Sequence, residues 1–161
     1  MNTLSGWIES IEKVIAMILI AAMTLVIATA VLFRYFIHAP IFWASEASIF
    51  MMAWLTFIGG SLGLKYKSQA SVTFLVDRFL DKGKRIIEIV SYIIILIFMV
   101  LLLYLSYQWV FSSMHQKSTS MRIPMWIPYL SVPVGLSFAF IHLLNHLVNL
   151  FKNKQQGGEP L

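Results

Sequence analysis

The chain contains no cysteine. That excludes disulfides, thiolate metal ligands and thiol nucleophiles, although it does not identify a compartment. Charge is scarce as well: Asp, Glu, Lys and Arg make up 12% of the 161 residues, against 59% hydrophobic residues and a mean hydropathy of +0.80. These four residue types are missing altogether from four long runs, Val14 to Phe33, Ala47 to Leu64, Ile89 to Gln116 and Ile123 to Phe151. What lies between the runs is too short for a separate soluble domain. A carrier, pump or ion channel normally keeps an ionisable residue at membrane depth for coupling or conduction, and none of these charges falls inside a run, so the chain is not expected to work alone. No internal repeat is visible, which removes one signature of a self-sufficient transporter. Neither a nucleophile with its base nor a phosphate-binding loop is evident, so no catalytic residue, cofactor site or enzyme activity is expected.

The runs themselves define the fold class. At about 1.5 Å of helical rise per residue, even the shortest reaches about 27 Å, close to the roughly 30 Å hydrocarbon core of a bilayer. The expectation is an all-α integral membrane protein, a single membrane domain over residues 1–161. Its four transmembrane helices cover about 14–33, 47–64, 89–116 and 128–151. The first run is full length and follows Glu9, Glu12 and Lys13, so it reads as a retained helix and not a signal peptide. Two short amphipathic segments are expected to lie in the interface. In 2–12, Leu4, Trp7, Ile8 and Ile11 share a helical face, with Ser5, Glu9 and Glu12 off it; in 70–82, Val72, Leu75, Val76, Phe79 and Leu80 do the same. Trp7, Trp109, Trp126 and Tyr129 are the candidate interfacial anchors, because an amphipathic ring suits both lipid and water.

Placing both termini in the cytoplasm puts nine of the twelve basic residues inside and leaves Arg34, Lys117 and Arg122 outside. The positive-inside rule therefore gives an N-in, C-in topology, with the excess charge meeting anionic lipid and not nucleic acid.

Three groups of residues are candidates for function. Gly59, Gly60 and Gly63 form a small-residue face on the second span, where a neighbouring helix backbone can approach closely, from within this chain or from a partner. At the outer corner between the first two spans, Arg34 ends one helix and Glu46 begins the next, with Trp43 beside them. A cation at a helix C-terminus and an anion at a helix N-terminus are both favoured, so Arg34 and Glu46 are expected to form a clasp and, with Trp43, a docking corner. His142 and His146 stand four residues apart on the last span, but a metal site wants further ligands, so they are read as interfacial residues and no metal is expected.

A family likeness is carried by Arg34-Tyr35-Phe36, Pro40, Trp43 to Glu46, Trp54 to Gly59, the basic exit Lys65 to Lys67, Val72 to Asp77, Ile123 to Tyr129 and Pro133-Val134-Gly135. In order and spacing these resemble the small membrane subunit of TRAP transporters, the DctQ or SiaQ type, over nearly the whole chain. The resemblance implies a tripartite, secondary-active uptake system of the bacterial inner membrane. In such a system a periplasmic substrate-binding protein delivers an organic acid, and a large membrane subunit carries it with sodium ions by an elevator-like movement. The small subunit braces that movement. Sialic acid or a C4-dicarboxylate is the implied substrate class, with sodium and substrate held on the large subunit. The partners are then the large TRAP membrane subunit, the binding protein and the lipid bilayer. The alternatives are a small self-assembling multidrug or cation exporter and an assembly factor of another membrane complex.

The topology is open to cysteine labelling on a cysteine-free background. Single cysteines at Ser68 and Gln155 should be shielded from an impermeant reagent in intact cells, and one at Ser118 should react; the opposite pattern would invert the orientation.

Overall fold

The computed structural model describes the backbone of residues 2–76 and 81–156, and the side chains of residues 5–66 and 90–148. Four long helices dominate: α1 (Asn2–Leu32), α2 (Phe42–Val76), α3 (Asp81–Ser112) and, after the single turn α4 (Trp126–Tyr129), α5 (Ser131–Gln156). All four contain stretches long and apolar enough to cross a bilayer, and no regular strand occurs among the described residues.

Hydrocarbon offers no hydrogen bonds, so a spanning helix has to satisfy its polar groups internally. Several hydroxyls do so within their own helices. Thr24 and Thr29 donate to the carbonyls of Ile20 and Leu25, Ser48 and Thr56 to those of Ala44 and Met52, and Ser137 to that of Pro133, each four residues back. α1 ends in a π-helical turn, Phe33–Ile37, closed by His38 in the left-handed region (φ 55°) and by the Ala39 amide donating to the Phe33 carbonyl at 3.2 Å. Pro40, which lacks an amide hydrogen, follows directly. In α5, Pro133 is the third residue, where an amide hydrogen would have no helical partner, so the regular helix starts between Pro128 and Pro133.

α2 packs against both α1 and α5, and α5 packs against α3. The helices thus stand in the order α1, α2, α5, α3, and α1 also reaches α5. Tyr92 and Met99 of α3 close on Ala139 and Leu143 of α5 to make the apolar core. The α2–α5 seam is tighter still. A Cβ on Gly135 would stand 2.6 Å from the Cβ of Phe57 and 2.7 Å from its carbonyl oxygen, so only glycine lets the two backbones meet there.

By contrast, a Cβ on Gly59, Gly60 or Gly63 would meet nothing within 4 Å. Among the described residues, the expected close approach on that face does not occur. The segment 2–12 is the first part of α1 and not a separate surface helix. α2 likewise runs unbroken to Val76, while residues 77–80 of the second expected interfacial segment lie outside the described residues.

Beside this apolar core the arrangement buries several polar groups and leaves many apolar ones outward. The most apolar stretch of α1 has none of its residues buried, against 39% for that of α5, and Trp7 on the apolar stripe of α1 is 74% exposed. Ser5, Glu12, Ser61, Ser106, Ser131 and His142 are all buried.

These seams make opposite predictions for two glycines. Gly135→Leu should overpack α2 against α5 and cost on the order of 1–3 kcal/mol, whereas Gly60→Leu should leave the stability of the chain by itself nearly unchanged. Thermal unfolding of the purified chain in detergent separates the two, and an unaltered melting temperature for Gly135→Leu would contradict the close seam.

Candidate functional site

Two polar centres join the helices, one at each end. At the end where α1 begins, Ser5, Glu9 and Glu12 recur at i, i+4 and i+7 and so share a helical face. Glu9 turns to α2: its Oε2 accepts from Lys65 Nζ at 2.5 Å, while its Oε1 accepts from Lys13 at 2.7 Å and from the Tyr66 hydroxyl. Lys65 also donates to the Ser5 carbonyl at 3.0 Å, and the Lys13 ammonium stands 5.6 Å from the centre of the Tyr66 ring. Glu12 turns to α5. Its Oε2 lies 3.0 Å from His142 Nε2, and His142 Nδ1 lies 2.8 Å from Ser5 Oγ.

This second group is dry: Glu12 is 0% exposed, Ser5 3% and His142 4%. A carboxylate only accepts, so with a neutral imidazole the network places the ring proton on Nε2 and makes Ser5 the donor to Nδ1. Glu12 Oε1 has no protein donor, which leaves His142 as the donor Glu12 depends on among the described residues. Removing one member of such a buried pair costs about 3–5 kcal/mol, because the other is left uncompensated. His142, expected at the interface, is therefore an internal residue; His146 packs its ring against Tyr92 with centroids 5.0 Å apart. The order hydroxyl, imidazole, carboxylate matches a hydrolase relay, but here all three groups sit between helices and bind one another.

At the opposite end the loop between α3 and α4 folds back on itself. Ser118 N–H donates to the Ile123 carbonyl and Met125 N–H to that of Gln116, both at 2.9 Å, and Arg122 adopts φ 53°. The tip of this hairpin presents three successive amides to the Glu46 carboxylate: Thr119 at 3.1 Å, Ser120 at 3.0 Å and Met121 at 2.8 Å. Such a row of amides is an anion-binding concavity, filled here by a side chain 73 to 75 residues away. The expected clasp is thus differently built. Glu46 is taken up by the hairpin, and among the described residues no ion pair joins it to Arg34, which stands exposed on the π-helical turn. Trp43 is half exposed one turn before Glu46. The structure brings Trp109 and Tyr129 together as a stacked pair with ring centroids 4.2 Å apart, while Trp126 remains partly exposed. Ser118 is buried and its hydroxyl accepts from the Ile123 amide, so the exposed Ser120 is the better labelling position on this loop.

The apolar stripe of 2–12 points to the interface, and it is the polar stripe of Ser5, Glu9 and Glu12 that meets Lys65 and His142. The i, i+4, i+7 polar spacing was the available signal. No signal in the chain order links Glu46 to residues 119–121.

Fold and site together define an integral membrane protein with four spanning helices, whose polar side chains tie its helices to one another; among the described residues no three metal-ligating side chains gather. The family of tripartite ATP-independent periplasmic transporters, DctQ component, matches residues 23–153, and the chain belongs to that family. It is 25% identical to the C4-dicarboxylate TRAP transporter small permease protein DctQ of Vibrio cholerae, over 84% of this chain and 70% of that protein. It is also 25% identical to the sialic acid TRAP transporter small permease protein SiaQ of the same organism, over 90% and 84%. The isethionate TRAP transporter permease protein DctMQ of Oleidesulfovibrio alaskensis is 24% identical over 88% of this chain, which corresponds to 24% of the longer protein.

The amide cradle predicts graded and independent effects at its end of the helices. Glu46→Ala should lower the melting temperature more than Glu46→Gln, whose amide oxygen still accepts from the hairpin. Arg34→Ala combined with Glu46→Ala should be additive in a double-mutant cycle, since no hydrogen bond or ion pair joins the two side chains. A strong coupling energy between them would restore the direct clasp.

Proposed function

We propose that the chain is the small membrane subunit of a sodium-coupled TRAP uptake system in the bacterial inner membrane, where it braces a large elevator-type subunit. Both termini are then cytoplasmic, and the Glu46 hairpin faces the periplasm. Membership of the DctQ family supports this reading, as does the match of the chain to about a quarter of the DctMQ permease, in which a segment of this type belongs to one much longer membrane protein.

The structural observation that carries the proposal is the distribution of polar and apolar surface. The carboxylates and the buried histidine fasten helices together, while α1 and the Gly59–Gly63 face of α2 present broad surface outward. Helices associate in lipid by close van der Waals packing, so a glycine face with nothing on it fits a partner helix. Substrate and sodium are assigned to the large subunit. The relatives named for C4-dicarboxylates and for sialic acid support an organic acid as cargo. The half-exposed Trp43 and the hairpin held by Glu46 lie on the face assigned to the periplasmic substrate-binding protein.

Co-expression with a large TRAP membrane subunit tests the assignment, and uptake should require both. Gly60→Leu or Gly63→Leu should reduce recovery of the large subunit on the tagged small subunit while leaving the melting temperature of the chain alone unaltered. Vigorous transport by the reconstituted chain without any partner would instead support an exporter.

A further inference from the structure

The side chains of α1 described by the structure include only two that are fully buried, Ser5 and Glu12, and both bond to His142 of α5. Beyond Glu12, no residue of α1 is buried, although α2 runs alongside. Half-buried residues such as Ile15, Leu19, Met23 and Val26 recur at helical spacing along α1, which packs on α2, whereas its fully buried side chains, Ser5 and Glu12, are the ones that bond to α5. The position of α1 relative to α5 is set by two hydrogen bonds to one imidazole.

We infer that Ser5, Glu12 and His142 form a conformational latch that draws the first turns of α1 across α2 onto α5 and thereby fixes the tilt of α1 in the membrane. Hydrogen bonds suit this task because they are directional. The imidazole has one nitrogen for each partner on α1, and those partners lie seven residues, about two turns, apart. Gripped at two points along its axis, the helix is fixed in angle as well as in distance. The Glu9–Lys65 tie lies between the two grip points in sequence but fastens α1 to α2, so opening the latch would free α1 from α5 without detaching it. The latch thus separates two degrees of freedom: Glu9 keeps α1 attached to the row, and His142 orients it.

Distances between spin labels on the full-length chain in lipid nanodiscs test this directly, and the native absence of cysteine makes the labelling specific. Labels at Ile11 and Ile94, exposed positions of α1 and α3 near the latch, report on its end of the row; labels at Leu32 and Phe111 report on the opposite end. The native chain should give one narrow distance for each pair. His142→Ala should abolish the narrow Ile11–Ile94 distance while preserving that of Leu32–Phe111. Ser5→Ala, which leaves the Glu12–His142 pair in place, should broaden the first distance, and Ser5→Thr, which keeps the hydroxyl, should retain it. An unchanged Ile11–Ile94 distance in Ser5→Ala and His142→Ala would overturn the latch, and so would equal broadening at both ends. If His142→Ala does not fold, Ser5→Ala against Ser5→Thr decides alone. The readout involves neither transport nor a partner, so it stands or falls separately from the proposed bracing role.

Discussion

In a bilayer the hydrophobic effect places helices in the membrane but does not press them against one another, because lipid tails are as apolar as leucine. Whatever joins the helices has to come from close backbone contact or from polar groups bonded to each other. This chain uses both. Gly135 lets α5 meet the backbone of α2 at Phe57, while Glu9, Glu12 and Glu46 each send a carboxylate from one helix to donors on a different element. Three of its few acidic residues are committed to these ties, and without them α1 would be held to the row by little more than van der Waals contact with α2.

The same constraint explains the inside-out character of the fold. A soluble helix with the pattern of residues 2–12 would bury Trp7 and Ile11 and expose Ser5, Glu9 and Glu12. Here Trp7 is exposed and Glu12 is completely enclosed. Amphipathicity is equally strong in either setting; what reverses is which face is the inner one. The ladder of serine and threonine hydroxyls bonded to carbonyls four residues back belongs to the same logic, since it lets polar residues face hydrocarbon without an unsatisfied donor.

How much of this was readable in advance follows from which forces are local. The four spans were plain from charge-free length alone, because the thickness of hydrocarbon imposes a single minimum run. The start of regular helix after Pro128 was equally accessible, since proline acts on its own backbone. The inter-helix contacts were not. A GxxxG spacing marks glycines that are able to admit a neighbour, but the glycine that does so here is Gly135, isolated in sequence and identified only by the position of Phe57. Glu46 looked toward Arg34 because helix ends favour nearby opposite charge, yet three aligned amides in a hairpin more than 70 residues away provide better geometry than one flexible guanidinium. The burial of Glu12 is not legible in the sequence, because it lies two residues before the charge-free run, where a carboxylate is ordinarily solvated; it depends on α5 arriving with His142 at the same depth.

That arrival bears on biogenesis. Ser5 and His142 are separated by 137 positions, so the bond that ties the first helix to the last can close only when the last one has been made and inserted. Until then Glu12 lacks the donor it has in the finished fold, and α1 waits in the membrane with an acidic group still to be sheltered. Completion of the chain and enclosure of Glu12 are therefore the same event. A product truncated before α5 carries, at Glu12, a carboxylate without the donor that the finished fold gives it.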